Sequence, residues 1–124
     1  MPILLIAIGG AAGAAARYAV DVTIATRLAG AFPWGTLAVN LSGSFALGLM
    51  FALVIERELL PAGARGPLMI GFLGAYTTFS TLMLESWRLW EDGAVALALV
   101  NLGGSMVLGV VALVVGLALG RAVA

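Results

Sequence analysis

The sequence predicts an all-α membrane protein with four transmembrane helices in a single domain spanning residues 1–124. Hydrophobic residues make up 63% of the chain and charged residues 10%, and the mean hydropathy is +1.16. A soluble domain carries about 25% charged residues. Since a bilayer core about 30 Å thick needs roughly 20 apolar helical residues, the four apolar stretches at about 3–26, 33–55, 67–90 and 94–120 are long enough to span it.

Proline, glycine and charged residues mark the ends of these spans. Pro33 and Pro67 stand where the second and third spans begin, a position that tolerates a residue without a backbone N–H. The segments Glu56-Arg57-Glu58 and Glu91-Asp92-Gly93 close the second and third spans. Because the connections are short, we expect sequential helices to pack antiparallel.

Small residues recur at the spacing that lets helix backbones approach in lipid. Gly9 with Gly13, and Gly116 with Gly120, are each four residues apart. Packing explains such pairs better than a role in transport.

The third span contains a segment that is unusual for a membrane helix, FLGAYTTFST at residues 72–81. Its hydroxyl side chains compete with backbone hydrogen bonds, and glycine relaxes the helix. We therefore predict a helix broken near its middle, with carbonyl oxygens freed for a hard cation such as Na⁺. The alternative is an intact helix whose hydroxyl groups bond back to carbonyls one turn earlier.

Polar side chains form a stripe on each of two other spans. Thr36, Asn40 and Ser44 are four residues apart in the second span, as are Asn101 and Ser105 in the fourth. These side chains offer hydrogen-bond donors but carry no positive charge. Hydrogen bonds between helices would account for single hydroxyls, whereas two asparagines with four bonding groups each favour a polar pathway.

The charges give almost no orientation bias. If four spans alternate, Arg57, Arg65 and Arg121 lie on the side of the N-terminus, and Arg17, Arg27 and Arg88 on the other. The positive-inside rule then favours neither orientation. This balance predicts dual topology with protomers paired head to tail, unless it arises by chance among few exposed arginines.

Several classes of function are disfavoured. The chain has no Cys and no His, so no nucleophile–base pair of the usual kind can be assembled and an enzyme is not expected. A small multidrug exporter needs a carboxylate embedded in its first helix, where this chain has only Asp21 near the end of the span. A non-transporting assembly subunit would leave the polar stripes unexplained. No nucleic-acid partner is expected.

Four segments closely resemble the CrcB/Fluc family of fluoride channels. They are GGAAGAAARY at 9–18, PWGTLAVNLSGSFALG at 33–48, GFLGAYTTFST at 71–81 followed by Glu85, and NLGGSMVLG at 101–109. The resemblance covers nearly the whole chain in order. It implies a passive channel in the prokaryotic inner membrane that exports fluoride and lowers its toxicity, built as a dual-topology antiparallel homodimer with two pores.

The resemblance also implies roles for individual residues. Backbone carbonyls of Gly74 and Thr77 would hold a central structural Na⁺. The fluoride pathway would comprise seven residues, namely Asn40, Phe79, Thr81, Ser105, Asn101, Glu85 and Arg17. Passive conduction is favoured over proton coupling because Glu85 alone is a plausible buried titrating group.

One residue departs from the family pattern. Much of the family has a second phenylalanine three residues after the first, and this chain has Leu82 there. Leucine offers no electropositive ring edge to an anion. The resemblance therefore leaves two alternatives open: the pore conducts differently, or Tyr76 or another aromatic residue compensates.

Overall fold

A computed structural model describes residues 2–123, which form five helical segments and no strand. Helix α1 is Pro2–Arg27 and α2 is Trp34–Glu56, the last six residues of which, Phe51–Glu56, are π-helical. Helix α3 covers residues 62–76, α4 is Ser80–Glu91 and α5 is Val95–Val123. Four helices are long and apolar enough to cross a membrane, with α3 and α4 together forming the third. The four predicted spans are confirmed.

The third span is interrupted, as predicted. Helix α3 ends at Tyr76, Thr77 adopts an extended conformation (φ −84°, ψ 158°), and α4 begins at Ser80. The alternative of an intact helix is wrong. The start of this span lies earlier than expected, because a single 3₁₀ turn, Ala62–Ala64, precedes a π-helical stretch, Gly66–Leu73, which has Pro67 in its first turn.

The interruption gives the two halves of the third span different neighbours. Helix α3 packs mainly against α1, and α4 packs against α5. Sequential antiparallel contacts exist between α1 and α2 and between α4 and α5, yet the most extensive contacts join α2 to α5 and α1 to α3. Both of these pairs run parallel. Helices α2 and α3 also touch, so sequential spans contact one another as expected, whereas the most extensive packing joins alternate spans.

Glycine residues, which have no side chain, allow the backbones within each of the two parallel helix pairs to lie close together. A Cβ at Gly13 would overlap the carbonyl oxygen of Phe72, and one at Gly9 would overlap that of Pro67. Likewise, a Cβ at Gly116 would overlap the carbonyl oxygen of Phe45. The packing role predicted for these glycine pairs is confirmed.

An ion pair joins α2 and α5 at the membrane edge. Arg121 bonds Glu56 through two nitrogen atoms, each at 2.8 Å, and Arg57 donates to the carbonyl oxygen of Arg121. The pair is partly exposed, and exposed ion pairs contribute little to stability because water and salt screen them. The pair holds the C-terminal ends of α2 and α5 together but contributes little to the stability of the protein.

Replacing Gly116 by valine should destabilise the protein by about 1–3 kcal/mol, because the new side chain collides with the α2 backbone. Unfolding of the purified protein in mixed detergent micelles measures this change. Ala118→Val is the matched control, since Ala118 is exposed on the same helix. Equal destabilisation by both substitutions would contradict the close approach of α2 and α5.

Candidate functional site

Threonines cap both helix ends at the interruption. The Thr77 hydroxyl and backbone N–H both donate to the carbonyl oxygen of Leu73, at 3.0 and 3.1 Å, which closes the last turn of α3. The Thr78 hydroxyl oxygen accepts from the N–H of Thr81 at 3.2 Å, which gives a partner to one of the free N–H groups in the first turn of α4. The hydroxyl groups that weakened the continuous helix in the sequence therefore stabilise its interruption.

Asn40 holds the non-helical backbone from the neighbouring helix. Its Nδ2 donates to the carbonyl oxygen of Thr78 at 3.0 Å, and its Oδ1 accepts from the N–H of Thr78 at 2.8 Å. Unpaired backbone groups at membrane depth cost several kcal/mol each, so this pair of bonds removes a large penalty. An amide has two N–H donors, which leaves Asn40 with a second one.

The interruption places two opposite helix ends beside each other. The C-terminal end of α3 carries carbonyl oxygens and partial negative charge, whereas the N-terminal end of α4 carries N–H groups and partial positive charge. Broken helices in membranes use such ends to bind cations and anions respectively. One sequence feature thus creates favourable positions for both signs of charge.

A groove of about 310 Å³ lies next to the interruption, between α2, α4 and α5. It brings together three predicted pathway residues, Asn40, Phe79 and Ser105. The rest of its lining is Ser44, Thr77, Thr78, Leu82, Met83, Leu102, Met106 and Gly109. Among residues 2–123 this lining includes no charged side chain, so the groove offers an anion neutral donors and apolar walls.

The two residues at the family's aromatic positions differ in exposure. Phe79 is 74% exposed and its side chain projects from the surface of the chain, whereas Leu82 is 8% exposed and belongs to the apolar core. Tyr76 does not line the groove. Its hydroxyl bonds Ser42 at 2.9 Å and its ring stacks on Phe72, away from the groove lining.

Ser105 and Asn101 lie one turn apart on α5 but in different surroundings. Ser105 faces the groove, and its hydroxyl oxygen has no hydrogen-bond partner within residues 2–123. Asn101 is 1% exposed and donates to the Ser86 hydroxyl oxygen at 2.8 Å, behind the groove wall. The structure therefore separates Asn101 from the surface that Asn40, Phe79 and Ser105 share.

Glu85 lines a second space, a cleft of about 350 Å³ at the membrane edge opposite the N-terminus. Asp21, Arg88 and Asp92 contribute the other charges, and the 28–33 connection and the start of α2 form its wall. The buried hydroxyl residue Thr36 also faces Glu85. The cleft has the position of a vestibule.

Two predicted residues lie beside these spaces. Thr81 is partly buried in the first turn of α4, where its backbone N–H bonds Thr78. Arg17 is partly buried on α1 and lines neither space. Since α1 and α3 run parallel and Gly13 touches Phe72, Arg17 comes level with the interruption one turn later.

The residues assigned to sodium fit a cation by their chemistry. Gly74 is exposed in the last turn of α3, where carbonyl oxygens have no partner further along the helix, and a Cβ there would meet only Met69 O, at 3.8 Å. The extended Thr77 takes its carbonyl out of the helical bonding pattern. No group of three or more Asp, Glu, His or Cys that could hold a metal occurs within the described chain.

Replacing Asn40 by alanine should lower the free energy of unfolding by about 1–3 kcal/mol, because the N–H and C=O of Thr78 lose their partners. Amide hydrogen exchange followed by NMR should show lost protection at Thr78. Ser42→Ala, which removes a hydroxyl from an exposed position of α2, is the control and should keep that protection. Unchanged exchange at Thr78 in Asn40→Ala would refute the clamp.

Comparison with known proteins agrees with this architecture. Residues 4–117 match the family model described as CrcB-like protein, Camphor Resistance (CrcB). A "Fluoride-specific ion channel FluC" of Magnetococcus marinus is 46% identical over 121 residues, covering 98% of each chain. Proteins of the same name from Solidesulfovibrio magneticus and Paracoccus denitrificans are 48% and 46% identical, over 94% and 95% of this chain and 93% of each relative. The chain belongs to the CrcB family.

Proposed function

We propose that this chain forms a fluoride-selective channel, a multi-pass protein of the bacterial cell membrane that lets fluoride leave the cell passively and so lowers its toxicity. The observation that carries the proposal is the groove beside the interrupted helix, whose lining combines hydroxyl and amide groups with one aromatic ring and apolar side chains. The curated relatives named as fluoride channels support the same activity. The activity is conduction, not catalysis.

The groove suits a small, strongly hydrated anion. Fluoride must exchange its water for compact donors without being trapped by a full positive charge. The second N–H of Asn40 and the free hydroxyl of Ser105 provide such donors, and the N-terminal end of α4 adds a partial positive charge. The ring edge of Phe79 provides a weak positive partner through its quadrupole. Larger anions bind these compact donors less favourably than fluoride does.

The remaining predicted residues have roles beside the groove. Glu85 and the cleft form a vestibule, which lies further along α4 than the groove-lining Leu82 and Met83, and Thr81 precedes both in the first turn of that helix. Arg17 lies level with the interruption, where its charge attracts the anion. Asn101 is not part of the groove lining, and it supports the pathway from within the helix packing, where it bonds Ser86. Leu82 closes the groove with an apolar surface, so fluoride passes a single ring from this protomer.

The working unit is an antiparallel homodimer with two pores. A groove open on one side and a Phe79 that is 74% exposed leave the pathway incomplete in a single protomer. Since the arginines are divided equally between the two membrane sides, both orientations are inserted. Two-fold symmetry then lets each protomer's Phe79 enter the groove region of its partner.

A structural Na⁺ belongs at the dimer axis. The carbonyls of Gly74 and Thr77 at the end of α3 supply hard oxygen ligands, and a second copy doubles their number. When bound, the ion offsets the repulsion between nearby anions without being transported. It holds the two interrupted helices together.

Rival functions fit these residues less well. An exporter coupled through the first helix would need its carboxylate at the centre of the bundle, but Asp21 lies in the cleft at the membrane edge, against Gly35. An assembly subunit would not need the donors that converge on the groove.

Phe79→Ile, Asn40→Ala and Ser105→Ala should each reduce fluoride efflux from liposomes by about tenfold or more, since each removes a partner of the anion. A fluoride electrode measures efflux under a valinomycin-clamped potential. Size-exclusion chromatography should show that Phe79→Ile and Ser105→Ala remain dimeric. Ser42→Ala is the control with wild-type efflux. Unchanged efflux in all three variants would place the pathway elsewhere.

Sodium should stabilise the dimer, and Gly74→Val should remove this effect, because the side chain blocks the approach of the carbonyl while meeting nothing close within its own protomer. The measurement is the thermal midpoint of the dimer in increasing NaCl against choline chloride. A bound ligand at 100 times its Kd contributes about 2.7 kcal/mol. Gly63→Val is the control, since Gly63 faces open space. A midpoint independent of Na⁺ would exclude the proposed site.

A further inference from the structure

Ser44 on α2 lines the groove, and the pathway described so far gives its hydroxyl group no role. The residue is half-buried and follows Asn40 by one helical turn on the polar stripe of α2. In the described part of the chain, the hydroxyl groups of Ser42 and Thr77 bond to protein, and that of Ser44 does not. Ser44 therefore keeps a donor for a group that enters the groove.

Gly109 on α5 leaves space in front of this hydroxyl group. It also lines the groove, and a Cβ added to it would lie 3.9 Å from Ser44 Oγ and within 4 Å of no other atom of a neighbouring helix. The oxygen of Ser44 thus points towards α5, and no side chain stands between it and the α5 backbone. A small ligand can approach the hydroxyl group from the groove.

Ser44 and Gly109 lie where the groove ends. Ser44 is four residues after Asn40, which is about 6 Å further along the axis of α2. One more turn along this helix, a Cβ at Gly48 would overlap the carbonyl oxygen of Leu113, so the backbones of α2 and α5 touch there. Ser44 is therefore the last donor of the groove before the two helices meet.

We propose that the Ser44 hydroxyl group is a further donor to the permeating anion, and that Gly109 keeps the position in front of it open. This inference rests on the proposed function of the groove. A hydroxyl group supplies one compact O–H donor and no positive charge, which suits a small anion that must bind and then leave. The neighbouring walls, Leu102 and Met106, offer no donor.

The position of Ser44 explains why one donor site would not be enough. Conduction requires several weak sites, so that the ion is neither excluded nor trapped. An anion that leaves Asn40 towards this end of the groove would otherwise pass only apolar side chains. Ser44 replaces one of the water molecules that the anion loses there.

Replacing Ser44 by alanine should lower fluoride efflux from liposomes about tenfold, because the anion loses one hydrogen bond. The thermal midpoint of the variant should equal that of the wild type, since the hydroxyl group bonds no protein group. Ser42→Ala is the matched control on the same helix, because the Ser42 hydroxyl bonds Tyr76 outside the groove. Wild-type efflux in Ser44→Ala, or a loss of efflux accompanied by a lower midpoint, would overturn the inference.

Moving the hydroxyl group to the opposite wall tests its position. Gly109→Ser in the Ser44→Ala background places a hydroxyl group in the same space from α5, and should restore most of the lost efflux. Gly109→Ala in that background fills the space without a donor and should restore none. Equal efflux in the two double variants would contradict the donor role. Absence of fluoride efflux from the wild type would refute the proposed function and this inference with it, whereas wild-type efflux in Ser44→Ala refutes the inference alone.

Discussion

The two hydrogen bonds between the Asn40 amide and the backbone of Thr78 are the interaction on which the rest of the site depends. In lipid, a helix can be interrupted only where its freed backbone groups find other partners. Asn40 supplies both partners from α2, and Thr77 and Thr78 close the two helix ends. The interruption in turn directs α3 towards α1 and α4 towards α5, which opens the groove.

The interruption of the third span also relates the structure to the proposed conduction, because it exposes two helix ends. A continuous helix would present neither an exposed carbonyl end nor a free N-terminal end at membrane depth. The interrupted helix presents both, so the same segment can serve the cation that we propose between two protomers and the anion that we propose to pass them. Glycine contacts along α1–α3 and α2–α5 keep the backbones close enough for these positions to be fixed.

The sequence predicted the four spans, the interruption and the packing glycines because each has a local chemical cause, such as hydroxyl groups competing for backbone bonds in the third span. It also placed Asn40, Phe79 and Ser105 at one site through the family resemblance. It did not predict that the Asn40 amide would bind backbone, that Asn101 would turn behind the groove to Ser86, or that Tyr76 would bond Ser42. These outcomes depend on how helices rotate against one another, which a one-dimensional pattern does not specify.

Efflux of fluoride compared with chloride from liposomes containing only this protein is the most direct test of the account. Both ions are measured with selective electrodes under the same valinomycin-clamped potential. The account predicts rapid fluoride release with negligible chloride release, despite Leu82 in place of a second ring. Release of both ions, or of neither from a well-folded dimer, would contradict it.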